Sequence, residues 1–244
     1  MALVHEFERS GNWLFKRRGW LPLFIFIPSL VYIMLKPEPS LEYSPGAEIA
    51  FLAVSLLGQV IRAVTVGRTP KNTSGRNING QVAEKLNTRG IYSLLRHPLY
   101  LGNFFMWLGP VLFLRSVWIV IIFCLAYWLY YERIMFAEEQ FLRRKFSDSY
   151  DRWAEKVRAF IPSFSNYTRS DLSFSLRNVL KREYNGFGLI FIVFALLDVS
   201  RNYSLDGVIA IHPLWGVLLI FGLLTWLILR IIKKHTSWLN VEGR

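Results

Sequence analysis

Long apolar runs dominate this sequence of 244 residues. The longest extends from Leu99 to Tyr131 and contains a single charged residue, Arg115. A membrane-spanning helix needs about 20 mostly apolar residues, so this run is too long for one crossing. We expect Arg115 and Ser116 to form the turn of a tight helical hairpin whose two spans are 99–114 and 117–131.

Four further apolar segments complete a prediction of six spans. They cover 20–35, 49–66, 187–197 and 212–229. Asp198 cuts the third of these short, so a re-entrant or tilted helix would fit it as well. The predicted fold class is therefore all-α: a polytopic membrane helix bundle with about six spans.

The basic residues predict how such a bundle is oriented. All but four of the 29 Lys and Arg residues fall in the N-terminal segment, the second and fourth connections and the C-terminal segment. In a six-span bundle these four segments share one side. Because loops rich in Lys and Arg stay in the cytosol, we expect both termini and any site beside these loops to be cytosolic, in a bacterial inner membrane or a eukaryotic endomembrane.

Composition excludes several classes of protein. A hydrophobic share of 53% combined with a net charge of +12 is typical neither of disordered chains nor of collagen, and Cys124 alone cannot form an internal disulfide. The cations are separated from the apolar runs instead of scattered over soluble helices, so we expect no nucleic-acid partner. The four histidines lack metal-ligand spacing, so we expect no metal.

The segment 90–102, GIYSLLRHPLYLG, enters the hairpin and contains the first candidate site. Pro98 keeps His97 out of the α region and suits the first position of a helix, so the third span should begin there. Unpaired N–H groups at such a helix start can bind a carboxylate or phosphate. Arg96 adds positive charge, and Gly102 lets a flat ligand approach the backbone. Simple anchoring of the helix start among lipid head groups is the alternative interpretation.

The fourth span continues beyond the membrane as a predicted amphipathic helix. Apolar residues recur at intervals of three and four from Leu142 to Val157. Glu138 lies on the apolar face without an evident partner, which makes it a functional candidate; a solvated helix face is the alternative. Glu139 has an ordinary structural explanation, because it can pair with Arg143 four residues on.

Together the two segments predict the chemistry of a ligand. Carboxylates and aromatic faces favour a sulfonium or an ammonium, and a helix N-terminus favours an acid. S-adenosylmethionine carries all three groups, whereas a dinucleotide would demand more anion-binding groups. The aromatic candidates are Tyr92, Tyr100, Trp128 and Tyr131.

Three patterns carry a resemblance to a known family. They are Gly-x-Tyr-x-x-x-Arg-His-Pro-x-Tyr-x-Gly over 90–102, Glu-Glu-x-x-Leu-x-x-x-Phe-x-x-x-Tyr over 138–150, and Phe-Ile-Pro at 160–162. They resemble the isoprenylcysteine carboxyl methyltransferase and phospholipid methyltransferase group of integral membrane enzymes. The resemblance assigns a methyltransferase core to 50–163 of a single domain, 1–244, with 187–232 as an additional helical pair. Ser147 stands where the family usually has glycine.

The resemblance implies an S-adenosylmethionine-dependent methyltransferase whose lipid or lipidated substrate enters from the bilayer. The cofactor contacts that it implies are Tyr92, His97, Tyr100, Gly102, Glu138 and Glu139. Arg96 would lie near the acceptor and orient it. The expected catalytic residues are Arg96 and Glu138. The reaction would be in-line transfer of methyl from the sulfonium to an anionic oxygen.

A further basic segment follows the second span. Arg68, Lys71 and Arg76 alternate with Thr, Ser and Gly residues, and such groups can clamp a lipid phosphate. A solvated loop that only sets orientation is the alternative. If these residues do clamp a phosphate, a lipid phosphate is favoured as the acceptor over a prenylcysteine carboxylate.

Two other functions remain open at this point. A membrane reductase of the sterol type has a similar Arg-His-Pro-x-Tyr hairpin and uses NADPH. A transporter or lipid scaffold is the other class, although the spans hold few ionisable residues, Arg62 being the main one.

Overall fold

The computed structural model describes residues 2–19, 21–35, 43–71, 73 and 81–244, and its regular structure over those residues is entirely helical. Helices α1 to α8 are, in order, Leu3–Arg17, Leu21–Leu35, Pro45–Gly67, Pro98–Phe113, Val117–Phe146, Asp148–Ala154, Leu176–Asp206 and Pro213–His235. Short 3-10 turns occur at Gly90–Ser93 and Phe164–Asn166. The predicted all-α membrane bundle is confirmed.

Six of these helices coincide with the predicted spans. Within the part of the chain that the structure describes, α3, α5, α7 and α8 are long and apolar enough to cross a membrane. The apolar parts of α2 and α4 are shorter. The segment predicted at 187–197 is the middle of α7, a helix of 31 residues. The first turns of α7 contain several charged residues, so the apolar pattern of the sequence did not reveal the full length of the helix.

The hairpin of α4 and α5 forms where the sequence predicts. Pro98 is the first residue of α4, and His97 is its N-cap. The helix ends at Phe113, and Arg115 adopts a positive φ of 48° before α5 begins. The predicted turn at Arg115 is confirmed.

The helix that extends the fourth span is shorter than predicted. α5 continues to Phe146, but Ser147 has φ 44° and ψ −126°, and a new helix, α6, starts after it. Glycine adopts this backbone conformation readily and other residues rarely. Tyr150 and Val157 remain buried beyond the break, so the apolar spacing did not reveal it.

Helices α3 and α4 pack closely through small residues. A Cβ built at Gly102 would lie 2.5 Å from Arg62 Cγ and 2.9 Å from the carbonyl of Gly58. Ser55 Oγ donates to the carbonyl of Met106 at 2.9 Å. Close approach of this kind is a common way for helices to associate in membranes. The contact positions Arg62 beside the start of α4.

The second and fourth connections, which are the two long connections of the chain, contact each other at one end of the bundle. The N–H of His97 donates to the carbonyl of Ala159 at 3.0 Å. The guanidinium of Arg244 donates to the carbonyl of Gly67 at 2.8 Å, so the C-terminus reaches the same end. The two connections therefore meet at the mouth of the hairpin of α4 and α5.

The N-terminal segment forms an amphipathic helix that the sequence analysis did not predict. α1 packs on α5, where Gly11 lies against the backbone of Arg133. Glu8 pairs with Arg144 at 2.5 Å. This packing brings the end of α1 to the cavity described next.

Candidate functional site

A cavity of about 540 Å³ lies where the two connections meet the helix ends. Pockets for small molecules have volumes of about 300 to 1,000 Å³, so its size suits a ligand of that class. Six of the expected catalytic and cofactor-binding residues line it: Tyr92, Arg96, His97, Tyr100, Glu138 and Glu139. The structure therefore brings both motifs to one wall.

His97 bridges the two carboxylates. Its Nε2 lies 2.9 Å from Glu139 Oε1, and its Nδ1 lies 3.6 Å from Glu138 Oε2. Burial disfavours the charged imidazolium, but the hydrogen bonds and charges of the two carboxylates outweigh burial and raise the pKa of His97 to about 9. The imidazole is therefore a cation at neutral pH.

Glu138 presents its carboxylate to the cavity. The hydroxyl of Tyr100 donates to Glu138 Oε2 at 3.0 Å. This bond fixes the Glu138 side chain and links α4 to α5. The side chain stays 26% exposed while it is held in this way. One face of the carboxylate is therefore open to a ligand, as a functional carboxylate requires.

The expected pairing of Glu139 with Arg143 is wrong. Glu139 accepts hydrogen bonds from Nε and NH2 of Arg96 at 2.9 and 3.3 Å. Arg143 donates instead to Asp151 at 2.7 Å. Asp151 lies on α6, just beyond the break at Ser147. Glu139 is thus part of the cavity wall.

Arg96 is held mainly by the protein. Besides its two bonds to Glu139, its NH1 donates to the carbonyls of Ala154 and Val157 at 2.7 and 3.1 Å. Four of the five N–H groups of a guanidinium are used in this way. The orientation of an acceptor by Arg96 stays a prediction, and only one N–H remains for it.

The start of α4 offers fewer free N–H groups than expected. The N–H groups of Tyr100 and Leu101 both donate to the carbonyl of His97 at 3.2 Å. The N–H of His97 is also bonded, to Ala159. Anion binding at this helix end is therefore reduced, because three nearby donors are satisfied within the protein.

Aromatic rings form part of the cavity wall. The rings of Tyr100 and Tyr131 lie 4.8 Å apart, and Trp153 Nε1 donates to the carbonyl of Tyr92 at 3.1 Å. Burial and the nearby Glu138 raise the pKa of Tyr92, so its phenol stays neutral. Trp128, another aromatic candidate, is absent from the lining.

Gly102 does not line the cavity, contrary to expectation. The position where its Cβ would stand is taken by Arg62 and by the backbone of Gly58, so Gly102 faces α3. Its small size serves helix packing. Gly102 influences the cavity only through Arg62, which does line it.

Thr73 of the basic segment after α3 lines the cavity, but the described cations of that segment, Arg68 and Lys71, do not. Arg68 is exposed, and its guanidinium lies 5.9 Å from the ring of Phe174. The N–H of Lys71 donates to the carbonyl of Gly243 at 2.9 Å. Arg76, the third residue of the predicted phosphate clamp, lies outside the described residues.

The structure adds polar residues that sequence reasoning missed. Arg62 donates to Glu183 through Nε at 2.7 Å and NH2 at 3.0 Å, and through NH1 to Asn103 at 2.6 Å. Arg182 also lines the cavity. The lone charge of Arg62 within a span was the available signal, but its partner lies 121 positions away. The described residues contain no group of three or more potential metal ligands from His, Cys, Asp and Glu.

Comparison with known proteins identifies a matching family and several relatives. The family model "Phospholipid methyltransferase" matches residues 49–149. A probable protein-S-isoprenylcysteine O-methyltransferase of Oryza sativa subsp. indica is 35% identical over 143 residues, which cover 57% of this chain and 72% of that protein. The chain belongs to the isoprenylcysteine carboxyl methyltransferase and phospholipid methyltransferase family.

Two other relatives have different names from each other. The protein-S-isoprenylcysteine O-methyltransferase of Schizosaccharomyces pombe is 34% identical over 113 residues, covering 43% of this chain and 45% of that protein. The nickel-cobalt-cadmium resistance protein NccN of Alcaligenes xylosoxydans xylosoxydans is 31% identical over 151 residues, covering 62% of this chain and 68% of that protein. No solved structure matches.

Family membership establishes an integral membrane methyltransferase. The matched segment, 49–149, contains α4, α5 and the six expected catalytic and cofactor-binding residues that line the cavity. α7 begins at Leu176, beyond that segment. Arg182 and Glu183 therefore reach the cavity from a helix that the family match does not include.

Proposed function

We propose that this protein is an S-adenosylmethionine-dependent O-methyltransferase that methylates an anionic oxygen of a lipid-like substrate at the cytosolic face of a membrane. The observation that carries the proposal is the cluster of Glu138, Glu139, His97 and Tyr100 in one cavity. This cluster leaves one carboxylate face open beside aromatic rings. Family membership supplies the reaction class, methyl transfer.

The residues of the cavity fit S-adenosylmethionine, which supplies a methyl group on a positively charged sulfur. Glu138 offers a carboxylate, and the rings of Tyr100 and Tyr131 offer aromatic faces. Both kinds of group attract a sulfonium or an ammonium. Protonated His97 attracts both Glu138 and Glu139, so the two carboxylates keep one arrangement.

The remaining residues perform alignment and exclusion of water. An anionic oxygen is already a nucleophile, so no general base is required of the protein. Tyr100 fixes Glu138, and Arg96 fixes Glu139, so the wall that faces the donor is preorganised. The surrounding helices exclude water from the sulfonium and from the anionic oxygen, the two opposite charges that must meet.

The proposal places the cavity and both termini in the cytosol. The cavity lies at the end of the bundle where the two long connections meet, and these connections are rich in Lys and Arg. The contact of Arg244 with Gly67 brings the C-terminus to the same end. The positive-inside rule assigns that end to the cytosol.

Calorimetry in detergent tests the assignment of the donor. We expect S-adenosylmethionine to bind the wild type, and Glu138→Gln to weaken the affinity about 10- to 100-fold, the loss of one charge-assisted contact. Glu132→Gln is the matched control, because Glu132 lies on α5 outside the cavity. Equal affinity in the wild type and Glu138→Gln would contradict the assignment.

Family membership favours a methyltransferase over the sterol-type reductase and over the transporter or scaffold that the sequence left open. The relatives named protein-S-isoprenylcysteine O-methyltransferase favour a prenylcysteine carboxylate as acceptor, and the phospholipid methyltransferase model favours a phospholipid. Both acceptors are tested below.

A further inference from the structure

One wall of the cavity belongs to α7, the helix beyond the family-matched segment. Its lining residues are Arg182, Glu183, Asn185, Gly186 and Leu189. Glu183 is the eighth residue of α7, which places it about 10 Å along the helix from its first residue. This wall is therefore set inside the bundle, apart from the first residues of the helix.

An ion pair fixes this wall to the rest of the site. Glu183 is 4% exposed and accepts two hydrogen bonds from Arg62, whose third bond goes to Asn103 of α4. The pair therefore joins α3, α4 and α7. Arg182 interacts electrostatically with Glu183, Arg62 and Tyr92. Arg182 thus lies near both the ion pair and Tyr92, a residue assigned to the methyl donor.

The charge of the cavity walls exceeds what the methyl donor requires. Among the described residues, the lining contains three glutamates and five Lys or Arg residues, in addition to protonated His97: Glu138, Glu139, Glu183, Arg18, Arg62, Lys85, Arg96 and Arg182. S-adenosylmethionine is itself a net cation, so a positive wall does not recognise it. A surplus of positive charge in a partly desolvated cavity favours an anion.

Apolar residues continue from this charged wall. Met106 and Trp107 of α4 and Leu189 of α7 line the same cavity. A ligand that fills this part therefore has a charged group next to an apolar chain. That combination describes a lipid with an anionic head.

We infer that Arg182 binds the anionic oxygen group of the methyl acceptor, and that the pair of Arg62 and Glu183 positions α7 for this contact. The inference rests on the proposed function. A guanidinium presents two parallel N–H donors that match a carboxylate or a phosphate. A prenylcysteine carboxylate and a lipid phosphate share this chemistry.

The test measures methyl transfer by purified protein in detergent with two probes, N-acetyl-S-farnesylcysteine and lysophosphatidic acid. We expect Arg182→Gln to raise the KM for the methylated probe about tenfold, the loss of one charge-assisted hydrogen bond, with kcat and donor affinity within about twofold of the wild type. Arg182→Lys should recover part of the loss. Lys181→Gln is the matched control. It removes the same charge from α7, but Lys181 lies outside the cavity and donates a hydrogen bond to Asn240.

The outcomes separate this inference from the proposed function. An unchanged KM in Arg182→Gln, with donor affinity intact, would overturn the inference alone. Equal weakening of donor affinity would make Arg182 part of the donor site and would also overturn it. Methylation of neither probe by a wild type that binds the donor would contradict the inferred acceptor chemistry. Failure of the wild type to bind the donor would contradict the proposed function itself.

Discussion

His97 Nε2 lies 2.9 Å from Glu139 Oε1, so the N-cap of α4 is joined to the extended part of α5. The same imidazole reaches Glu138, the carboxylate open to the cavity. A single buried cation therefore connects the two sequence motifs of the family. Its protonation state controls how firmly the carboxylates are held.

The stability of the protein should depend on the charge of His97. Its pKa is raised from an ordinary 6.5 to about 9, so its contribution to stability is fully present below pH 6.5 and is lost as the pH rises through 9. We expect the temperature at the midpoint of thermal unfolding of the wild type to decrease as the pH rises from about 6.5 to 9. His97→Gln should be less stable near neutral pH and should lose less over that range. Parallel pH profiles for the two proteins would contradict this account.

Arg96 should act as a positioning residue. Arg96→Gln should lower the stability by about 2 kcal/mol, between the values typical of exposed and buried ion pairs, because Glu139 and two carbonyls lose their donors. Arg96→Lys should recover only part, since an ammonium cannot make the same fork.

Arg143→Gln is the control for Arg96, because its pair with Asp151 is exposed and should contribute less than about 1 kcal/mol. Thermal unfolding and acceptor kinetics check the two variants together. Normal unfolding of Arg96→Gln with a raised acceptor KM would show that Arg96 orients the acceptor directly.

Gly102 should matter for packing and not for donor binding. Gly102→Ala places a Cβ against Arg62 and Gly58, so we expect a loss of about 1–3 kcal/mol from over-packing, with donor affinity little changed. Gly46→Ala is the control, because nothing lies within 4 Å of its added Cβ. It should be neutral or stabilising by about 0.5–1 kcal/mol. Loss of donor affinity in a stable Gly102→Ala protein would restore the direct contact predicted from the sequence.

Ser147 should be improved by glycine. Its backbone, with φ 44° and ψ −126°, is strained for a residue with a side chain, so Ser147→Gly should raise the stability by about 1 kcal/mol. Ser237→Gly is the control, because Ser237 does not have a positive φ. Thermal unfolding of the two variants checks the prediction. Destabilisation by Ser147→Gly would mean that the serine side chain contributes more than the strain costs.

Features that depend on neighbouring residues could be predicted from the sequence. Pro98 fixes the start of α4 because its ring restricts its own φ and the residue before it. Arg115 marks the hairpin turn because it interrupts an apolar run that is too long for one span. Glu138 was identified because a carboxylate on an apolar helix face requires a partner or a ligand.

Pairings between distant residues could not be predicted in this way. Glu48 of α3 and Arg201 of α7 form a buried ion pair, and this pairing depends on how α3 packs against α7. The charged residues in the first turns of α7 do not indicate a buried helix, yet Glu183 is buried there, where Arg62 neutralises its charge. The break at Ser147 was indicated only by its departure from the family pattern.

The most direct test of the account is methyl transfer in membranes that contain the wild type, Glu138→Gln or Glu132→Gln. After incubation with methyl-labelled S-adenosylmethionine, lipid and protein fractions are separated and hydrolysed in strong acid. The account predicts label in one fraction for the wild type and Glu132→Gln, released as methanol because the methyl group is on oxygen, and little label for Glu138→Gln. Label recovered in a methylated amine, or equal labelling by Glu138→Gln, would contradict it.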